Sequence, residues 1–184
     1  MIHFFKKINL DKPIPDGHRE IILGAGCFWG VERKFWDLNG VYFTSVGYCG
    51  GELNNPSYED VCSGESNHAE VVKIYYNPDV IKLSALMVVF WECHDPTQGM
   101  RQGNDIGTQY RSIINCCHDE DLSILQESKN KYQSALIKNG FSEITTQIVE
   151  NQKYYLAEEY HQQYLAKNPN GYCGIGGTNC PFPK

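Results

Sequence analysis

Residues 19–40, REIILGAGCFWGVERKFWDLNG, place a strand pattern, a glycine-rich turn and a helix pattern directly after one another. The apolar run at 19–23 predicts a strand that ends at the turn. From Phe28 onwards, apolar side chains recur at helical spacing until Gly40, which predicts a helix between these two residues. Cys27 is therefore expected where the strand passes into the helix, at or near the helix N-terminus.

The same two periods predict the remaining elements of the chain. Strands are expected at residues 41–48, 70–76, 111–117 and 143–149. Helices are expected at 83–94, from a cap at Asp119 to a stop at Gly140, and at 157–166, with loops at 50–58 and 95–110. Because helices and strands mix without a strict βαβ alternation, the pattern predicts a two-layer α+β domain with a mixed or antiparallel sheet.

The length of the chain, 184 residues, fits one domain that spans 1–184. The sequence contains no internal repeat, low-complexity tract or interdomain linker. Residues 1–18 are expected to form an N-terminal extension. Residues 168–184 are rich in Gly, Pro and Asn, so they are expected to form a long, mobile, irregular tail that carries Cys173 and Cys180.

The charge pattern excludes two classes of partner. The net charge is −6 and no basic cluster occurs, which argues against binding to nucleic acid or to an anionic membrane surface. The first residues, MIHFFKKINL, lack the apolar core of a signal peptide, and no apolar stretch is long enough to span a bilayer. We therefore expect a cytoplasmic protein, and nothing in the sequence requires more than a monomer.

Eight cysteines are an unusual number for such a chain. A disulfide framework belongs to small secreted domains, and this chain is too long to need one. Five cysteines lie in or beside apolar or turn stretches and are expected to be small buried side chains: Cys49, Cys62, Cys93, Cys116 and Cys117. Cys27, Cys173 and Cys180 have different neighbours, so we consider them as chemical groups.

A thiol at a helix N-terminus experiences the positive end of the helix dipole and unpaired N–H groups, and both favour the reactive thiolate. A structural cysteine in a tight turn is the alternative for Cys27. Cys173 and Cys180 lie in GYCGIGGTNC, where a flexible tail would bring a thiol to an oxidised cysteine. A metal clip fits less well, because C-x-x-C spacing is missing and His161 is not at a usual ligand interval, so no metal is expected.

Four polar residues of the loops and strand ends are candidates to hold a substrate: Tyr58, Glu70, Asp105 and Tyr110. Each has a structural alternative. A tyrosine after Pro-Ser packs on its own loop, and a glutamate at the mouth of an apolar strand is more often paired or solvated than catalytic. Taken singly, none of the four predicts an activity.

Seven motifs in order resemble the A-type peptide methionine sulfoxide reductases, and the match runs in register from about residue 19 to 182: GCFWG, NPSYEDVCSG, HAE, HDPTQG, QGNDIGTQYRS, HQQYL and NPNGYCGIGG. The resemblance implies an α+β fold with a ferredoxin-like core. It implies an enzyme that reduces the S epimer of methionine sulfoxide, in oxidised proteins and free, without a cofactor. Asn67 departs from the pattern, since similar sequences commonly have Gly before HAE.

The resemblance also implies a role for each candidate residue: Cys27 is the nucleophile, Phe28 and Trp29 enclose the substrate methyl group, Glu70, Tyr58 and Tyr110 donate hydrogen bonds to the sulfoxide oxygen, and Asp105 supports this polar network. Cys27 would become a sulfenic acid as methionine leaves. Cys173 would then form a disulfide with it, and Cys180 would pass that disulfide to a reductant, thioredoxin.

Two rival functions fit part of the same sequence. A cysteine hydrolase places Trp directly after its nucleophile in one local signature, but here Phe28 intervenes and the two tail thiols would have no role. A redox-sensing or zinc-binding module would carry reactive thiols without turnover. Consumption of a reductant when methionine sulfoxide is added separates the three functions.

Overall fold

Within residues 1–10 and 12–184, which the computed structural model describes, the chain forms eight strands and five helices. The strands are β1 (Arg19–Ala25), β2 (Val41–Cys49), β3 (Ala69–Tyr76), β4 (Arg101–Gln102), β5 (Asp105–Ile106), β6 (Ser112–Cys116), β7 (Gln147–Glu150) and β8 (Tyr154–Leu156). The helices are α1 (Phe28–Phe35), α2 (Tyr58–Cys62), α3 (Leu83–Cys93), α4 (Leu122–Lys138) and α5 (Tyr164–Lys167). None of the helices in this described part is both long and apolar enough to cross a membrane.

Six strands form one mixed sheet in the order β7-β6-β1-β3-β2-β8. All neighbours in it are antiparallel except β6 and β7, which are parallel. Its four central strands, β6-β1-β3-β2, are connected through α1 and α3 in the βαββαβ manner of ferredoxin-like folds. The predicted α+β class and mixed sheet are confirmed. Strands β4 and β5 form a separate short hairpin.

The main core lies between this sheet and the helices. Successive side chains of β1 point to opposite faces, so Leu23 packs into the helix-covered core while Ile22 joins a smaller cluster on the other face. On α1 the buried Val31 and Phe35 are four residues apart and lie on one side of the helix. The apolar spacing in the sequence therefore corresponds to burial, and it fixes α1 against the sheet.

The segment after β7 differs from its prediction. The strand expected at 143–149 begins only at Gln147 and runs to Glu150. Of the helix expected at 157–166 only the short α5 forms, and β8, which was not predicted, precedes that segment. Side chains explain the missing helix: Gln162 bonds to both the N–H and the C=O of Val46, as a strand backbone would. Gln163 then adopts a left-handed conformation with φ of 48°, which a continuous helix does not allow.

The start of α4 also differs from its prediction. Asp119 was expected to cap this helix, but it begins a 3₁₀ turn and accepts a hydrogen bond from Asn151. The N-cap position belongs to Asp121, whose carboxylate pairs with Arg19 at 2.9 Å. The predicted cap lies two positions before the observed one, because the acidic run Asp119–Asp121 offers several cap candidates.

Candidate active site

Cys27 lies where β1 ends and α1 begins, at the N-cap of that helix. Gly26 allows this sharp change of direction, because its φ is +96° and a Cβ there would lie 2.8 Å from the Cβ of Gln102. The backbone N–H groups of Trp29 and Gly30 face the Cys27 sulfur. The predicted position of Cys27, between a strand and a helix, is confirmed.

Glu70 comes beside this turn because β3, which carries it, runs antiparallel to β1. Its side chain is buried, and its Oε2 accepts a hydrogen bond of 3.0 Å from the backbone N–H of Phe28. Burial raises the pKa of Glu70 to about 8, although the hydrogen bond from Phe28 acts in the opposite direction. Near pH 7 this carboxyl group is therefore mostly a neutral acid with a proton to donate.

The environment of Cys27 favours its thiol form. Burial raises the pKa of Cys27, and the charges of Glu70, once that group is ionised, and of Asp105 raise it further. The backbone hydrogen bonds at the helix N-terminus lower this pKa but do not offset the burial. The helix N-terminus thus favours the thiolate, as expected, but burial outweighs its effect on Cys27. Because Glu70 opposes the ionisation of Cys27, the two groups titrate as a coupled pair.

Tyr58 and Tyr110 reach the same space from two other parts of the chain. Tyr58 is the first residue of α2, a helix that was not predicted and that a capping box at Ser57 begins. The backbone N–H of Tyr58 also donates to Glu158 Oε1 at 2.9 Å. Tyr110 ends a 3₁₀ turn after β5. Burial raises the pKa of both tyrosine hydroxyls, so both are hydrogen-bond donors across the physiological pH range.

These side chains enclose a cavity of about 180 Å³. It is lined by Cys27, Phe28, Trp29, Tyr58, Glu70, Asp105, Tyr110 and Tyr172. The structure thus brings together the predicted nucleophile, the aromatic residues, the donors and the supporting aspartate in one pocket. Tyr172 was not predicted, and the predicted thiols Cys173 and Cys180 lie outside the lining.

The indole of Trp29 is held in one orientation by two residues to which the sequence predictions assigned no role. Its Nε1–H donates to His161 Nδ1 at 3.0 Å. Its ring stacks on Tyr164, with ring centroids 3.8 Å apart and planes at 13°. Both partners lie in the HQQYL motif, which the resemblance contained. Residues 161–165 therefore shape the apolar side of the pocket through Trp29.

Asp105 lies at the edge of the pocket, on the hairpin of β4 and β5. The hydroxyl of Tyr172 donates to Asp105 Oδ1 at 3.1 Å. Tyr172 belongs to the tail, so this bond ties the tail to the rim of the pocket. Its position directly before Cys173 in the GYCGIGG stretch was the signal in the sequence that would have identified it.

Cys173 packs against the surface of α1, close to the turn that carries Cys27. A Cβ on Gly30 would come within 3.1 Å of the Cys173 sulfur and equally close to Ile175, so only glycine lets the tail approach this closely. Gly30 itself is hydrogen-bonded to the carbonyl of Cys27 at 3.2 Å. The second predicted thiol thus lies over the first turn of the helix that Cys27 begins.

Cys180 is buried in the main core, although the glycine-rich tail was not expected to offer a packed position. The hydroxyl of Tyr132 on α4 donates to its carbonyl oxygen at 3.0 Å, and the Nδ2 of Asn139 donates to its sulfur at 3.4 Å. The ring of Phe182 stacks on Tyr132 and covers this position. In this conformation Cys180 is held away from the pocket.

The other five cysteines fit their prediction in part. Cys49, Cys93 and Cys116 are buried, as expected, and Cys117 is half-buried. Cys62 is exposed, so the expectation of burial is wrong there, because it ends the short surface helix α2. Among the side chains of residues 1–10 and 12–184, no group of three or more His, Cys, Asp or Glu could hold a metal ion.

The turn before Glu70 accommodates Asn67. This residue has a φ of 55°, the left-handed conformation that asparagine tolerates better than most non-glycine residues. His68, which follows it, is buried and bonds through Nε2 to the carbonyl of Leu53. The backbone enters β3 correctly, and Glu70 reaches the pocket.

A cysteine at a helix N-terminus, beside a buried neutral acid and two phenols, on a ferredoxin-like sheet, defines a thiol-dependent enzyme. A family model described as peptide methionine sulfoxide reductase matches residues 19–179. The chain therefore belongs to the peptide methionine sulfoxide reductase family, and it is an enzyme that reduces methionine sulfoxide.

Individual relatives agree with this assignment. The peptide methionine sulfoxide reductase MsrA of Brucella melitensis biotype 2 is 53% identical over 183 residues, which cover 98% of this chain and 84% of that protein. The structure of methionine sulfoxide reductase A of Corynebacterium diphtheriae is similar with a TM-score of 0.87 and 41% identity, covering 99% of this chain and 89% of that one. Mxr1 from Saccharomyces cerevisiae in complex with Trx2 is similar with a TM-score of 0.59 and 27% identity, covering 91% and 95%.

Proposed function

We propose that this enzyme reduces the S epimer of methionine sulfoxide, both free and in oxidised proteins, by attack of Cys27 on the sulfoxide sulfur. The observation that supports this most strongly is the pocket itself, where a thiol, an un-ionised carboxylic acid and two phenols surround a small cavity with aromatic walls. Such a set supplies a nucleophile and the protons that a sulfoxide oxygen must receive.

In the first step Cys27 bonds to the sulfoxide sulfur while Glu70 delivers a proton to the oxygen. Sulfoxide sulfur is a poor electrophile as long as its oxygen is unprotonated, so the acid must act as the bond forms. The oxygen then passes to the Cys27 sulfur. One thiol and one sulfoxide yield one sulfenic acid at Cys27 and one methionine; the proton from Glu70 stays on the sulfenic oxygen, and the proton lost from the Cys27 thiol restores the acid form of Glu70.

The arrangement of the pocket supports a preference for one epimer. Glu70 and the two tyrosines fix the direction of the oxygen, and the rings of Phe28 and Trp29 fix the direction of the methyl group. The approach of Cys27 to the sulfoxide sulfur fixes a third direction. Three fixed directions at a tetrahedral sulfur distinguish its two configurations, because the other epimer would exchange methyl and oxygen between an apolar and a polar wall.

The proposal predicts a strict stereochemical preference. With thioredoxin or a small thiol as reductant, we expect kcat/KM for the S epimer to exceed that for the R epimer by roughly 100-fold or more. Chromatography of the methionine formed from each pure epimer measures this ratio. Equal rates for both epimers would refute the proposed binding mode. A protein oxidised once without turnover would be a sensor, and release of an amine or acid from a peptide would indicate a hydrolase.

The two phenols should act as separate donors. We expect Tyr58→Phe and Tyr110→Phe each to slow the methionine-forming step by about 10- to 100-fold, because each removes a hydrogen bond that strengthens as charge develops on oxygen. Rapid-quench measurement of methionine in a single turnover gives this rate. Tyr155→Phe is the matched control, since its hydroxyl bonds to Asn54 outside the pocket lining. An unchanged rate in both pocket variants would remove the tyrosines from the mechanism.

For recycling, we propose that Cys173 attacks the sulfenic acid and that Cys180 then takes over the disulfide for delivery to thioredoxin. The proximity of Cys173 to Gly30 supports the first part, and the yeast complex of Mxr1 with Trx2 supports thioredoxin as the reductant. Cys180 must leave its buried position to act, so the tail has to move. Exchange between thiols and disulfides needs direct contact of the sulfur atoms, and this is the physical reason for a mobile tail.

The remaining parts of the proposal concern the protein as a whole. We propose that residues 1–184 work as one domain and as a monomer, with 1–18 as an extension of the catalytic fold. The backbone N–H of Phe4 donates to the side chain of Gln163, which supports a fixed place for the first residues. A cytoplasmic location suits the chemistry, because recycling through free thiols requires a reducing compartment.

A further inference from the structure

The tail cysteine nearest to the pocket has a charged partner on α1. The guanidinium Nη2 of Arg33 donates to the sulfur of Cys173 at 3.0 Å. Arg33 is exposed, and Cys173 is half-buried between it and the helix surface. Arg33 is not among the described residues that line the pocket, so we assign it no role in the first step. The contact therefore concerns the tail thiol itself.

Neighbouring contacts hold the same stretch of tail on both sides of this sulfur. Before it, the hydroxyl of Tyr172 is bonded to Asp105 at the pocket rim. After it, the side chain of Ile175 packs against Gly30. Because its neighbours are anchored, Cys173 has a defined position against the surface of α1. The hydrogen bond from Arg33 orients its sulfur.

We propose that Arg33 activates and positions Cys173 for attack on the oxidised Cys27. This inference rests on the proposed function, because the attack requires a sulfenic acid at Cys27. The Cys173 sulfur bonds to the Cys27 sulfur, the S–O bond breaks, and the oxygen leaves as water with the proton lost from Cys173. Cys173 is oxidised, Cys27 is reduced from sulfenic acid to disulfide, and no other reactant is consumed.

A guanidinium suits this role for two reasons. The thiolate is the nucleophilic form of cysteine, and a cation that donates a hydrogen bond to sulfur stabilises that form. Arg also keeps its charge at every relevant pH, so its effect persists through the catalytic cycle. Lys34, the next residue, is exposed on the same helix but its charge acts on Cys93 instead, which makes it a matched control.

The first experiment separates the two chemical steps in one turnover with the S epimer, in a Cys180→Ser background that keeps the disulfide at Cys173. Rapid quenching with mass spectrometry measures methionine and the Cys27–Cys173 disulfide. We expect Arg33→Gln to slow disulfide formation by roughly five- to tenfold, as the loss of an exposed charge-assisted hydrogen bond implies, while the methionine-forming step proceeds normally. Arg33→Lys should recover part of the rate, and Lys34→Gln should leave both steps unchanged.

A second measurement distinguishes activation from simple coverage. In the reduced protein at pH 7, alkylation of Cys173 by iodoacetamide should be severalfold slower in Arg33→Gln, because iodoacetamide reacts with the thiolate. If Arg33 only shielded the sulfur, the same substitution would make alkylation faster. Faster alkylation together with unchanged disulfide formation overturns the inference.

Failure of the proposed function would look different. In that case the unsubstituted enzyme would release no methionine in the first step, whatever residue stood at position 33. Methionine release followed by normal disulfide formation in Arg33→Gln would leave the proposed function intact and refute only the role of Arg33.

Discussion

Cys27→Ser is expected to abolish methionine formation, with the single-turnover rate falling by about 10⁴-fold or more, as losses of a catalytic nucleophile do. A serine hydroxyl occupies the same N-cap position, so the fold and the pocket should persist. A serine hydroxyl, however, cannot accept the sulfoxide oxygen as a cysteine thiol does. The variant therefore has no group at position 27 that can be oxidised by two electrons while the sulfoxide is reduced. Quantifying methionine after one turnover with excess enzyme measures this effect.

Cys173→Ser is the control that shows whether the loss belongs to the nucleophile alone. This variant should still form about one equivalent of methionine and then stop, because Cys27 remains oxidised when Cys173 cannot attack it. A small thiol should restore turnover by reducing the sulfenic acid directly. Methionine formation by Cys27→Ser would contradict the mechanism, and full thioredoxin-coupled turnover in Cys173→Ser would identify a different resolving residue.

The strand, turn and helix around Cys27 could be predicted because their signals are local and strong. A short apolar run, two glycines and a helical apolar spacing specify β1, the turn and α1 within 22 residues of sequence, 19–40. The same applies to β3 and α3. These elements carry most of the core, so the local patterns and the observed packing agree.

The elements near the C-terminal end were less predictable because side chains replace backbone interactions there. Gln162 supplies to Val46 the hydrogen bonds that a neighbouring strand would supply, and Glu32, which is buried, accepts hydrogen bonds from the backbone and side chain of Gln163. Such bonds between residues more than a hundred positions apart leave no periodic pattern in the sequence. The helix expected at 157–166 was therefore misplaced.

The chemical types of the pocket residues could be read from the sequence, but their electrostatic state could not. Cys27 and Glu70 are 43 positions apart, and their proximity follows from the antiparallel pairing of β1 with β3. Burial then raises the pKa of both groups, which reverses the thiolate expected from the helix N-terminus alone. The helix dipole is a local property, whereas desolvation depends on the whole fold.

Glu70→Gln is expected to slow the methionine-forming step by about 10²- to 10⁴-fold, because glutamine keeps the shape of the side chain but has no proton to give. In the unsubstituted enzyme the acid form of Glu70 is lost as the pH rises through about 8, so a Glu70-dependent rate should fall there. The variant should lack this alkaline decrease. Single-turnover rates between pH 6 and pH 9.5 test both statements. Glu32→Gln is the matched control, since Glu32 is a buried carboxyl group whose pKa burial raises to about 7 but which lies outside the pocket lining.

Glu70→Gln should slow the reaction, but the stability of this variant relative to the unsubstituted enzyme should rise towards alkaline pH. A carboxyl group whose pKa is higher in the folded state than in the unfolded chain stabilises the fold fully below its ordinary value of 4.5, and this contribution is lost as the pH rises to about 8. Glutamine does not titrate, so the variant should not lose this contribution. As the pH rises over this range, the difference between the two free energies of unfolding should shift in favour of the variant by on the order of 3 kcal/mol. Urea unfolding at pH 5 and pH 8.5 measures the difference. A variant that was slower at every pH but gained no relative stability would mean that Glu70 is ionised in the fold, and the acid would then have to come from another group.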